Sequence, residues 1–245
     1  VDGRVRPGHD EEIAASSLLF FDFMSRTPVY IVCSPRPQVG KTLLSRLLVE
    51  FLLLQRHHAR GFDINVKEPS LIDFLPDVTE LADVIDIQGK MQLMDQLIVN
   101  DGLGKVVDLG YHAYDEFFRM IEEIGFMKEA DRRGVDPIVM YMADADSRSG
   151  ASFAKLKRTF TDYAIIPVDN EHVLQGEPPA SYAGLHTLRI RALPPFLRTY
   201  IDRRSFSFTQ FLRTDSDPSS ELNQWIRTNY LKFREIQLNL VEYRL

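Results

Sequence analysis

Apolar positions along this chain recur with two different periods, and the alternation between them predicts the fold. Val29 to Cys33 is a continuous β-branched and apolar run, the signature of a buried strand. Directly after a short polar loop, Leu43, Leu44, Leu47, Leu48, Phe51 and Leu52 fall at three- and four-residue steps, which predicts an amphipathic helix opening at Thr42. Strands are then expected over Arg60 to Val66, Asp83 to Ile87, Lys105 to Leu109, Pro137 to Met142, Tyr163 to Val168 and His186 to Leu193. Helices are expected over Gly89 to Val99, Tyr114 to Arg133, Ser149 to Phe160, Pro195 to Arg204 and Glu221 to Tyr243. The stretch from Lys67 to Asp86 carries a weaker pattern, read as short helices. Strands alternating with helices predict an α/β fold of three layers, with a mostly parallel sheet covered by helices on both faces. Ahead of it, residues 1 to 9 read as a disordered leader and Glu11 to Met24 as a helix. The expected division is a leader and helix over residues 1–26, then a single domain over 27–245 ending in a helical extension.

Composition narrows the class. With 245 residues, 44% of them hydrophobic, the chain is long enough to bury a full core. The net charge of −6 argues against a strongly basic nucleic-acid binder. Charge is uneven: residues 1–150 carry 16 Lys and Arg against 25 Asp and Glu, whereas 151–245 carry 13 against 10, which permits a basic patch on the C-terminal part. The single cysteine, Cys33, falls inside the first strand as a small core residue, so no intrachain disulfide framework exists and a reducing, cytoplasmic setting is expected. Apolar runs fall short of the roughly 20 residues that span a bilayer, and the N-terminus is not signal-like. The sequence does not open on Met, so its first residue is expected to be a trimmed end.

The densest chemistry lies between the first strand and its helix. Pro35-Arg36-Pro37-Gln38-Val39-Gly40-Lys41-Thr42 fits the frame of a phosphate-gripping loop, G-x-x-x-x-G-K-[ST], with proline in the first glycine place. Proline removes an N–H, but Gln38, Val39, Gly40, Lys41, Thr42 and Leu43 all keep theirs, and these are the donors that wrap the β- and γ-phosphates. Lys41 is expected to reach the phosphate oxygens as a point charge. Thr42 is expected to place its hydroxyl on Mg²⁺. The ligand that this chemistry predicts is ATP with Mg²⁺.

In a parallel sheet, ligands bind outside the carboxyl ends of the strands. The residues there are polar: Asp63 and Asn65 late in the second strand, Asp108 closing the Lys105 to Leu109 strand, Asp144 and Asp146 after the next, and Asp169-Asn170 after the one that follows. Asp108 has the position of a carboxylate that holds Mg²⁺ through water. Asp144 and Asp146 fall where a helix N-cap is expected, and capping alone would explain them.

This layout resembles the ParA/MinD-like P-loop ATPases, the group with a deviant Walker A loop, K-G-G-x-G-K-[ST]. The resemblance covers most of residues 29 to 170. It places the family's signature lysine on Arg36 and implies that this side chain reaches across a nucleotide-sandwich homodimer. It aligns the family's D-x-D with Asp63-Ile64-Asn65, its switch II aspartate with Asp108, and a base-contacting asparagine with Asn170, for which a plain turn residue is the competing reading. It implies catalytic roles for Lys41, Asp63, Asp108 and Arg36. The chain also departs from the family: Pro35, Pro37 and Gln38 stand in place of glycines, and Asn65 in place of a carboxylate that helps to position the attacking water. A carboxamide accepts no proton, so slow or absent hydrolysis is expected.

The C-terminal third is less explicit. Leu222, Trp225, Ile226, Phe233, Ile236 and Leu240 line one face of the last helix, which suits docking on the core or on a second subunit better than a membrane surface. The run Arg203-Arg204-Ser205-Phe206-Ser207-Phe208 pairs cations with aromatics, a composition compatible with nucleic-acid contact, although its phenylalanines equally suit the core. The histidines have no zinc spacing, and no nucleophile elbow is present. Three functional classes follow: a Mg-ATP-dependent dimerising switch that positions DNA or a protein cargo, a P-loop kinase acting on a small metabolite, and a nucleotide-binding regulator that does not hydrolyse.

Overall fold

The computed structural model describes residues 26–65, 68, 70–174, 180–214 and 217–242. The expected leader and the helix over Glu11 to Met24 lie outside the described residues. Seven strands, β1 (Thr27–Cys33), β2 (Ala59–Ile64), β3 (Thr79–Leu81), β4 (Gly104–Leu109), β5 (Val135–Met142), β6 (Ala164–Asn170) and β7 (Leu188–Ile190), form one sheet in the order β3-β2-β4-β1-β5-β6-β7. The α-helices are α1 (Lys41–Arg56), α2 (Leu71–Phe74), α3 (Ile87–Leu97), α4 (Tyr114–Glu123), α5 (Phe126–Arg132), α6 (Ser147–Thr159), α7 (Pro195–Ile201), α8 (Phe208–Thr214) and α9 (Glu221–Glu242). Every strand pairing among the described residues is parallel. The expected sheet is thus present, and it is wholly rather than mostly parallel.

The two-residue period of β1 builds the three layers. Val29, Ile31 and Cys33 face a core shared with α3, α4, α5 and α6, while Tyr30 and Val32 face a second core shared with α1, α7, α8 and α9. Both faces are covered, which is why β1 reads as an uninterrupted apolar run. On the second face, Phe51 of α1 packs against Tyr230 and Phe233 of α9 with ring centroids 5.5 and 5.6 Å apart. The indole N–H of Trp225 donates to the Arg191 carbonyl at 2.7 Å. The last helix therefore docks on its own chain. Phe206 and Phe208 are also buried in this core, so the Arg203 to Phe208 run does not offer its rings to a nucleic acid.

Three expectations need correction. The helix expected over Tyr114 to Arg133 is two helices, because Gly125 takes a left-handed conformation (φ 63°) that interrupts an apolar period continuing on both sides. The short strand expected over Asp83 to Ile87 lies earlier, at Thr79–Leu81, and Asp86 instead caps α3 by accepting from the Gly89 N–H at 2.7 Å. An additional helix, α8, occupies Phe208–Thr214. It is tethered to α1 by a buried carboxylate: Glu50 accepts from the Ser207 hydroxyl at 2.5 Å and from the Thr209 N–H at 2.8 Å. One turn away, buried Arg46 donates to the carbonyls of Ile201 and Phe206 and stacks 3.8 Å over the Phe74 ring. Burial draws the Arg46 guanidinium down to about 10, still charged at neutral pH. No helix among the described residues is long and apolar enough to cross a membrane.

Candidate functional site

β1 lies between β4 and β5, where the connections diverge to opposite sides of the sheet, so a crevice opens at its carboxyl end. The Ser34 to Gly40 loop fills that crevice, and α1 starts at Lys41 with its N-terminus facing it. Two residues of the loop have positive φ, Gln38 at 57° and Gly40 at 90°. Alternating handedness of this kind turns successive N–H groups inward and makes an anion-binding concavity. The prolines at 35 and 37 precede the two positions of positive φ. Gln38 carries a conformation that glycine adopts more readily.

Asn170, at the end of β6, closes the loop from behind. Its amide donates to the Val39 carbonyl at 3.1 Å, its carbonyl accepts from the His172 N–H at 3.2 Å, and the residue is 2% exposed. In this structure Asn170 thereby clamps the loop after β1 to the end of β6. A Cβ on Gly40 would lie 2.1 Å from the Asn170 amide nitrogen, so loop and clamp fit only through a glycine.

Lys41 folds over the loop, its ammonium donating to the Arg36 carbonyl at 2.7 Å. Burial pulls its pKa below the usual lysine range, and the neighbouring Asp108 carboxylate acts in the opposite direction. The Thr42 hydroxyl donates to an Asp108 carboxylate oxygen at 2.8 Å and lies 2.8 Å from the Ser70 hydroxyl. Asp108 pairs in register with Asp63 across β2 and β4. Burial, and then the Asp63 charge, push its carboxyl up to about 6, while Thr42 and Lys41 oppose the shift.

Asp63 is not a free base. One of its oxygens accepts from the N–H groups of Ser70, Leu71 and Ile72 at 2.8, 2.8 and 3.3 Å, and the other accepts from the Asn65 N–H at 3.1 Å. Its role in this structure is to cap α2 and hold the Ser70 segment beside Thr42. The Asn65 amide is turned to the Glu68 carbonyl at 2.6 Å. Arg36 stands at the mouth of the loop, 38% exposed, with Asp144 and Asp146 each 3.3 Å away. Asp146 is also the N-cap of α6, accepting from the Arg148 N–H at 2.8 Å. Sequence reasoning missed Ser70, and its only signal there was a hydroxyl residue shortly after the second strand.

Thr42 and Asp108 supply only hard oxygen donors. Among the described residues no group of three or more His, Cys, Asp or Glu could hold a metal by itself. A divalent ion at this place would therefore take hydroxyl and carboxylate oxygen together with water and phosphate, the ligand set that suits Mg²⁺. The raised Asp108 pKa gives this a pH signature. A cation competes with the proton, so the Mg²⁺-dependent part of ATP affinity should rise as pH passes upward through about 6. Without ligand, the raised pKa favours the folded state most at low pH, and that contribution is lost as pH climbs through the same value. Calorimetry and thermal unfolding across this range, with Asp108→Asn as reference, check both: the reference should lack both dependences.

These features define an α/β protein of three layers, a parallel seven-stranded sheet covered by helices on both faces, with a loop and a helix start at the carboxyl end of its central strand. The chain is similar in fold to the MinD cell division protein of Aquifex aeolicus, at 15% identity and a TM-score of 0.46, over 85% of this chain and 97% of that one. It is likewise similar to a MinC:MinD cell division protein complex from Aquifex aeolicus, at 13% identity and a TM-score of 0.42, over 85% of this chain and 96% of that one. No protein-family model and no curated protein matches the chain.

Proposed function

We propose that this chain binds Mg-ATP in the loop after β1 and acts as a nucleotide-dependent switch of the ParA/MinD type, dimerising to position a protein or DNA cargo. The observation that carries the proposal is the loop of Ser34 to Gly40, with positive φ at Gln38 and Gly40, Lys41 folded over it and Thr42 joined to Asp108. Lys41 exchanges the Arg36 carbonyl for phosphate oxygens, and Thr42 and Asp108 hold the ion. Asp63 acts as a positioning residue through its hold on the Ser70 segment. Titrating ATP with and without Mg²⁺ by calorimetry, followed by sedimentation of the loaded protein, tests it; no binding, or binding without dimers, refutes the corresponding half.

Arg36 is the residue for the dimer half. Its ion pairs with Asp144 and Asp146 are partly exposed, so each contributes little, and a partner's phosphate can displace them. Arg36→Ala should leave the unfolding temperature within about 2 °C. It should weaken ATP-linked dimerisation by about 10-fold or more, with a smaller effect on ATP affinity; equal losses of both would exclude a role across the interface.

A reading without rapid turnover is favoured by Asn65. Its carboxamide accepts no proton and is held by the Glu68 carbonyl, so loaded ATP should persist rather than turn over quickly.

A further inference from the structure

Ser70 occupies the first position before α2, where a serine ordinarily turns its hydroxyl onto the free N–H groups of the helix start. Here it makes no such bond. Asp63 performs the capping instead, reaching the N–H groups of Ser70, Leu71 and Ile72 from the end of β2. The Ser70 hydroxyl is thereby released from its local task and lies 2.8 Å from the Thr42 hydroxyl, which is in turn 2.8 Å from Asp108. Three hard oxygen donors from three separate elements thus converge beside the phosphate loop.

The spacing has a specific meaning. Two oxygens bound at right angles to one Mg²⁺, each about 2.0–2.1 Å from it, lie about 2.8–3.0 Å apart. The Ser70–Thr42 separation matches one edge of such an octahedron. A direct hydroxyl–hydroxyl hydrogen bond has the same length, and it is the form these side chains take without an ion. The Ser70 hydroxyl is not spent on the helix start, because Asp63 makes the cap.

We propose that Ser70 is a direct ligand of the nucleotide-bound Mg²⁺, adjacent to Thr42, and that Asp63 serves the metal site by capping α2 so that this hydroxyl is left free. The inference rests on the Mg-ATP reading above. Ser70 would then hold the ion beside Thr42, with Asp63 keeping the start of α2 in place.

The test is the Mg²⁺ dependence of ATP binding, measured by calorimetry in excess EDTA and then across a Mg²⁺ series. Ser70→Ala should weaken the apparent Mg²⁺ affinity of the ATP complex by about 10-fold, while affinity for ATP in EDTA is preserved. Ser70→Thr should restore it. Ser70→Cys, which supplies a soft thiol, should lose Mg²⁺ but recover coupling with Cd²⁺, so that the proposal remains open to refutation even if the alanine variant folds poorly. An unchanged Mg²⁺ dependence in Ser70→Ala, or no Cd²⁺ preference in Ser70→Cys, overturns the assignment. If the unaltered chain binds no ATP at all, the underlying Mg-ATP reading fails instead, and the two failures are told apart by that control.

Discussion

Lys41→Ala should reduce ATP affinity by at least about 100-fold without unfolding the chain. Removing charge-assisted hydrogen bonds to phosphate costs about 1.5–3 kcal/mol each, and one decade of affinity corresponds to about 1.4 kcal/mol. Among the described residues the ammonium donates to the Arg36 carbonyl, at 2.7 Å. That carbonyl belongs to a loop at the surface, so water can replace the amine there. The phosphate contacts have no such substitute, because α1 begins at this residue and Lys41 is the cation of its first turn, KTLL. Lys41→Arg should not rescue binding, since a planar fork cannot take the place of a compact ammonium folded over the loop. Calorimetric titration with Mg-ATP, beside thermal unfolding of both variants, decides the matter; an unchanged affinity would mean that the loop grips no phosphate.

The sequence made the site legible where chemistry and local pattern coincide. The Val29 to Cys33 run, the Gly40-Lys41-Thr42 triplet and the helical leucines after it are contiguous, and the strand, loop and helix follow from them directly. The place of Asp108 is legible because a carboxylate at the end of an apolar strand is conspicuous in a linear reading, and the structure brings it to Thr42. The contact of Ser70 with Thr42 is not legible, since it depends on Asp63 taking over a cap seven residues away in sequence. The same long-range effect governs Asn170: its position after β6 was legible, but its bond to Val39 spans 131 residues and leaves no local trace. Gly125 was overlooked for a different reason. The apolar positions before and after it remain in helical phase, so the period alone does not betray a break that one left-handed residue imposes.

Gly40→Ala should be the most damaging single change in the loop, and its cost should divide into two separable parts. The first is intrinsic: φ of 90° at this position is disfavoured for any residue with a Cβ, at about 1–3 kcal/mol. The second is the collision with Asn170, whose amide nitrogen would lie 2.1 Å from the added carbon. The amide is the end of a side chain, but it is buried and bonded to Val39, so moving it sacrifices a hydrogen bond of about 1 kcal/mol. Together these predict a loss of about 2–4 kcal/mol and a fall in unfolding temperature of about 5–15 °C. ATP affinity should collapse at the same time, because the inward turn of the N–H groups depends on that φ. Asn170→Ala removes the collision and leaves the backbone strain. In that background Gly40→Ala should therefore cost about 1 kcal/mol less than in the parent chain, a coupling that a double-mutant cycle on unfolding free energies measures directly. Equal costs in both backgrounds would show that the loop yields without displacing Asn170, and that its shape does not depend on the clamp from β6.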